Sequence, residues 1–158
     1  MRHRVHIFLI AVVAITALAM HGRAGRAEPA AVPDLVVIVN AANKERPSPE
    51  MLERIFLRKE MNWDSGERIL PLNASPESER RQRFDRVVLG MTPDEAARYW
   101  LDQRIRGGGT APREVGDAVL TVRLVAKLSG TIGYVPADIQ RSGVRVVARI
   151  RNDKVLPP

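Results

Sequence analysis

The stretch DLVVIVN, residues 34–40, decides how the rest of the chain is read. Its four consecutive β-branched residues, Val36 to Val39, favour extended backbone and leave no polar face. The segment predicts a strand covered on both sides, and such strands belong mainly to parallel sheets with helices on each face.

Before it, EPAAVP (residues 28–33) reads as a linker. The first twenty residues, MRHRVHIFLIAVVAITALAM, place basic Arg2 and Arg4 ahead of an uncharged, mainly apolar run from Ile7 to Met20. That run is shorter than the roughly 20 residues a helix needs to cross a bilayer. Gly25 and Ala27 supply small residues before a cut after Ala27, so residues 1–27 are expected to be a cleavable signal peptide that delivers the chain to the periplasm.

Export changes the charge argument. The formal net charge of +7 falls to +3 once Arg2, Arg4, Arg23 and Arg26 leave, because no acid leaves with them. Mixed charge with few aromatics gives no support to a nucleic-acid partner. His3, His6 and His21 also lie in the segment to be removed, and there is no cysteine. The mature chain therefore lacks Ser-His-Asp or Cys-His nucleophile systems, and imidazole or thiolate metal ligands. No pair of acids has a spacing that singles it out for general acid/base work. The expectation is a non-enzyme without metal or cofactor, in one domain from residue 34 to 151 with a tail at 152–158.

After the strand, three segments open alike: Ser48-Pro49-Glu50, Ser75-Pro76-Glu77 and Thr92-Pro93-Asp94. In each, a hydroxyl can cap free amides, proline suits the first helical position and an acid complements the helix dipole. Thr92 and Glu95 add a capping box. Three helices are expected: one facing inward with Met51, Leu52, Ile55 and Phe56, one with Arg80, Phe84, Val87 and Val88 ending at Gly90, and one with Ala96, Ala97, Trp100 and Leu101. A short strand is expected over Arg68 to Leu72, another at TIGYV (residues 131–135), and a third at VRVVARI (residues 144–150) with Val144, Val146, Ala148 and Ile150 on one face. RGGGTAP (residues 106–112) lacks the Lys-Ser or Lys-Thr of a phosphate loop and reads as a connector. AVLTVRLVAKL (residues 118–128) fits strand or helix by pattern. Alternating strands and helices argue for a layered α/β domain.

The order VVIVNAAN, SPEMLERIFLRKEMNW, RILPLN, a Ser/Arg/Phe helix and GTIGYV resembles the phosphate-binding protein family of phosphate ABC transporters. Ile55-Phe56 with Trp63, and Gly130 to Val135, are its most specific pieces. The resemblance spans Asp34 to Pro136. It implies one lobe of a type 2 periplasmic binding protein-like fold, with a mixed, mostly parallel sheet and flanking helices. Asp34–Asn40 would enter the lobe, Ile132–Val135 would leave it, and Ala118–Leu128 would be a helix. The other lobe, and so half of the ligand cleft, is missing from the match.

The family's phosphate ligands come from a Gly-Ser-Gly-Thr-Arg turn three residues before a phenylalanine. Counting back from Phe84 puts Ser78 on the serine and Arg81 on the arginine, which makes them the ligand candidates for phosphate or another small anion. Ser75 in the same turn, and Asn40 at the end of the hinge strand, are additional candidates. Glu77, Glu79 and Arg80 depart from the pattern, and glutamate in place of glycine repels an anion. Each candidate also has a structural reading: Ser75 as a cap with Pro76 leading the first turn, Asn40 and Asn43 as turn formers, and Arg80 and Arg83 as a solvated face near Glu77 and Glu79. The implied partners are a second chain or a membrane transporter component. The alternative is an envelope protein–protein interaction module that has lost small-anion binding.

Overall fold

The computed structural model describes residues 33–158, so the expected signal peptide and nearly all of the linker lie outside the described residues. In chain order the elements are β1 (Leu35–Asn40), α1 (Pro49–Phe56), β2 (Leu70–Asn73), α2 (Glu79–Phe84) running on into a π-helical turn (Asp85–Leu89), α3 (Pro93–Ile105), β3 (Arg113–Glu114), α4 (Ala118–Lys127), β4 (Thr131–Pro136), β5 (Val144–Arg151) and β6 (Lys154–Leu156). The six strands form one mixed sheet in the order β3-β2-β4-β1-β5-β6. Four of them, β3, β2, β4 and β5, run the same way.

Strand β1 is buried on both faces, as its composition requires. Leu35, Val37 and Val39 join the larger core with α1 and α2, and Val36 and Ile38 join a second core under α4. Each such side chain contributes about 1.5–3 kcal/mol on leaving water. Its pairing differs from the expectation, because β1 runs antiparallel to both neighbours, β4 and β5. Burial on two faces reports helices above and below the sheet. It does not report strand direction.

Two further expectations change. Between Val37 and Ile38 the pairing with β5 slips, so that Val37 faces Ala148 while Ile38 faces Val146. Val147 is the extra residue of a bulge, which reverses the side-chain parity of the strand. Val144 and Val146 therefore pack toward the α4 core, and Val147, Ala148 and Ile150 toward the other. Residues expected as a tail also pair: Arg151↔Lys154 and Arg149↔Leu156 close a hairpin through Asn152 and Asp153, both at positive φ. Asn and Asp tolerate that left-handed turn better than most residues.

Two of the three expected helix starts hold. Ser48 accepts from the Met51 amide, and Thr92 and Glu95 form the full capping box. The third is displaced. Ser75 to Ser78 is a turn, with the Ser78 amide on the Ser75 carbonyl at 3.0 Å, and the cap of α2 is Ser78, which accepts from the Arg81 amide at 3.2 Å. Ser-Pro-Glu-Ser suits a turn as well as a helix start, since proline at the second position is favoured in both. Gly90 ends the π-helical turn at φ 63°, as expected. On α3 only Ala96 and Trp100 are buried, so its apolar stripe is narrower than expected and Leu101 is 56% exposed. Residues 118–127 form α4, capped by Asp117.

Candidate functional site

The expected anion turn lies at the C-terminal end of β2. Its foundation is an aromatic stack: Tyr134 of β4 lies parallel to Phe84 with centroids 3.8 Å apart, and Phe56 tilts against Phe84 at 4.5 Å. The Tyr134 hydroxyl donates to Asn73 Oδ1 and accepts from the Ala74 amide, both at 3.1 Å. Burial pushes this phenol well above its usual range. Tyr134 thus fixes the strand end from which the turn departs.

Ser78 and Arg81 both have partners inside the chain. The Ser78 hydroxyl donates to the Ser75 carbonyl at 2.7 Å while accepting from Arg81 N. Arg81 is 7% exposed and places Nε against both Asp85 oxygens, at 2.8 and 2.7 Å, with Nη1 on the Ala74 carbonyl at 3.3 Å. Asp85, 2% exposed, thereby neutralises the guanidinium. Burial raises the Asp85 carboxyl above its ordinary value although Arg81 pulls it down. The Ser75 hydroxyl faces the loop after β3, where a Cβ on Gly116 would meet Ser75 Oγ at 2.9 Å.

The arginine face expected to be solvated is instead tied down. Arg80 donates through Nη2 to the Gly116 carbonyl at 2.9 Å, and Arg83 donates to the Pro33 carbonyl at 3.0 Å near Asp34 and Asp153. Neither pairs with Glu77 or Glu79, both of which are exposed. A cavity of about 220 Å³ opens beside the Arg81–Asp85 pair, walled by Pro76, Trp100, Pro112 and Glu114. Its apolar wall and buried ion pair do not amount to an open anion cradle.

Asn40 does not join this group. Its Nδ2 donates to the Val125 and Ala126 carbonyls at 3.0 and 2.8 Å, and its Oδ1 accepts from Ala42 N at 2.9 Å. It closes the C-terminus of α4 and shapes a turn near the start of β4, at the opposite end of the strands from Ser78. The structure therefore brings together Ser75, Ser78 and Arg81, adds Asn73, Asp85 and Tyr134, and leaves Asn40 apart. Asp85 was detectable as the residue four places after Arg81, a spacing at which opposite charges meet on a helix. Asn73 and Tyr134 meet only through the pairing of β2 with β4, and no local pattern announces that.

No protein-family model matches the sequence, and no curated protein matches it. Solved structures do match. An ABC-type phosphate transport receptor from Vibrio cholerae superposes with a TM-score of 0.58 at 18% identity, covering 73% of this chain and 45% of the receptor. A putative phosphate ABC transporter substrate-binding protein from Clostridium perfringens, solved with bound phosphate, gives 0.59 at 17% identity, covering 73% and 44%. PstS from Borrelia burgdorferi gives 0.51 at 16%, covering 66% and 41%. The chain thus has the fold of phosphate ABC transporter substrate-binding proteins over rather less than half of their length.

Proposed function

We propose that this chain is an exported, non-enzymatic, single-lobe relative of the phosphate ABC transporter substrate-binding proteins. It works in the periplasm as an interaction or accessory component and not as a self-sufficient phosphate trap. The observation that carries this reading is the Arg81–Asp85 contact, which spends the one guanidinium at the family's ligand position on an internal carboxylate. The match to the solved receptors spans less than half of their length, and the matched part by itself offers one wall of a cleft. Export rests on the charge and hydropathy layout of residues 1–27.

Calorimetry with inorganic phosphate on the purified chain, with its mass in solution measured in parallel, tests the reading. The expected result is no tight binding by the monomer. Tight binding by a monomer, abolished by Arg81→Ala, would overturn it.

A second reading keeps the anion and adds a partner: a second chain or a transporter component supplies the missing wall and phosphate binds between them. The bound phosphate of the Clostridium perfringens structure, matched here over 44% of that chain, favours it. It requires phosphate affinity to appear only when the partner is present.

A further inference from the structure

A different kind of site runs along β2, past Leu70, Pro71 and Leu72, and shares Ala111 and Pro112 with the cavity beside the Arg81–Asp85 pair. A cavity of about 400 Å³ lies where Leu70 at the start of β2, Thr131 at the start of β4, the Leu124 and Leu128 side chains of the α4 region, Arg58 and Arg113 come together. Its size falls in the range of small-molecule pockets. Leu70 and Leu128 keep 42% and 47% of their surface exposed, so the walls are apolar surface left in water.

The polar groups here are short of partners. Thr131 is fully buried, and its Oγ1 has no hydrogen-bond partner, a condition that costs about 1–3 kcal/mol when left unmet. Among the described residues, Arg58, Arg113 and the neighbouring Arg68 form no ion pair and no side-chain hydrogen bond. No carboxylate lines the cavity. Burial and the charge of Arg68 both push the Arg58 guanidinium below its usual value, so this end of the lobe concentrates positive charge. Arg58 also sits at φ 61° just past the end of α1, where glycine is the usual residue.

Guanidiniums without a carboxylate partner beside exposed leucines suit one ligand chemistry: an anionic head on an apolar body. We propose that this cavity binds a small amphiphilic carboxylate, whose head meets Arg58 and Arg113 and whose chain covers Leu70, Leu124 and Leu128. Neither Ser78 nor Arg81 lines this cavity, although Ala111 and Pro112 border both it and the cavity beside Arg81.

The test is calorimetry with octanoate on the purified chain, against 1-octanol and inorganic phosphate, each of which offers only half of the ligand. Octanoate should bind at least about tenfold more tightly than either control. Arg58→Gly should weaken octanoate about tenfold while unfolding no earlier in urea, because glycine suits that backbone and a folding defect cannot then explain the loss. Arg113→Ala should weaken it several-fold, and Arg86→Ala, which removes an exposed arginine that does not line the cavity, should leave it unchanged. Octanoate binding no tighter than octanol, or tight binding that survives both Arg58→Gly and Arg113→Ala, would overturn the proposal.

Discussion

The turn after β2 and the cavity along the strand handle positive charge in opposite ways. At the C-terminal end, Arg81 is held by Asp85 and the Ala74 carbonyl, and Arg80 and Arg83 reach carbonyls of other segments. Along the strand, Arg58 and Arg113 line an apolar cavity that no carboxylate lines, with Arg68 near Arg58. The first looked like the binding site from residue types alone and is closed from within. The second carried no motif, and the arginines that line it meet no carboxylate. Residue types propose a site, but whether the chain already supplies their partners decides whether the site is open.

The sharpest way to break the contrast is at Asp85. Asp85→Ala leaves a buried guanidinium without its counter-charge and should cost about 3–5 kcal/mol in urea unfolding. Leucine at both positions 81 and 85 should recover most of that loss, because a well-packed apolar pair removes both desolvation penalties. If Asp85→Ala instead folds normally and gains phosphate affinity, the turn is an anion site held shut by one residue.

Next in size is Gly130, which joins the N-terminal end of β2 to β4. A Cβ there would stand 2.2 Å from the Arg68 carbonyl oxygen, a backbone atom that cannot swing aside, while the Gly130 carbonyl accepts from Leu70 N and Trp63 Nε1. Gly130→Ala should lower stability by about 1–3 kcal/mol, measured by thermal or urea unfolding. A neutral result would mean that this end of the lobe yields easily.

Tyr134→Phe keeps the stack on Phe84 but removes the hydroxyl between Asn73 and Ala74. It should cost about 1–2 kcal/mol by stranding a buried amide and a buried carbonyl oxygen. Hydrogen exchange at Ala74 should rise with it.

The pH dependence tests the same end. Because burial raises the Asp85 carboxyl above the ordinary 3.8, the folded chain keeps this proton to higher pH than the unfolded chain does. The stabilisation from the protonated group is complete below that ordinary value and is lost as pH rises through the raised one. Asp85→Asn cannot titrate, so its stability relative to wild type should climb as pH increases through that window. A difference that is flat with pH would show that Asp85 titrates alike in both states.

The smallest expected effect has the opposite sign. Arg58→Gly relieves a left-handed backbone that costs an L-residue about 1–2 kcal/mol, offset in part by the greater freedom of glycine in the unfolded chain. A gain on the order of 0.5–1 kcal/mol in urea unfolding would mean that the chain holds an arginine there at a cost to stability.

Much of the fold was legible because its causes are local. The apolar run of Val36 to Val39 had to be buried on both faces, and the Ser48 and Thr92 caps, the Gly90 stop and the Gly-Thr-Ile-Gly-Tyr-Val strand all took the places their residues indicated. Three features were not legible. The direction of β1 relative to its neighbours depends on which strands lie beside it. The Val147 bulge depends on register with β1, and without that register VRVVARI reads as a simple alternation. The cap at Ser78 depends on the turn that Pro76 makes possible, which Ser-Pro-Glu does not distinguish from a helix start.

The candidate site divides along the same line. By itself the sequence determined that the side chains the 75–86 segment can offer an anion are hydroxyls and guanidiniums, because the described domain has no histidine and no cysteine. Only the tertiary structure decided that Ser78 and Arg81 bond within the chain, that Asn40 closes α4 at the far end of the strands, and that Arg58 and Arg113 line a cavity without a carboxylate. The physical reason is that a residue's type fixes which bonds it can make. Which of those bonds remain available depends on neighbours that only the folded chain brings within reach.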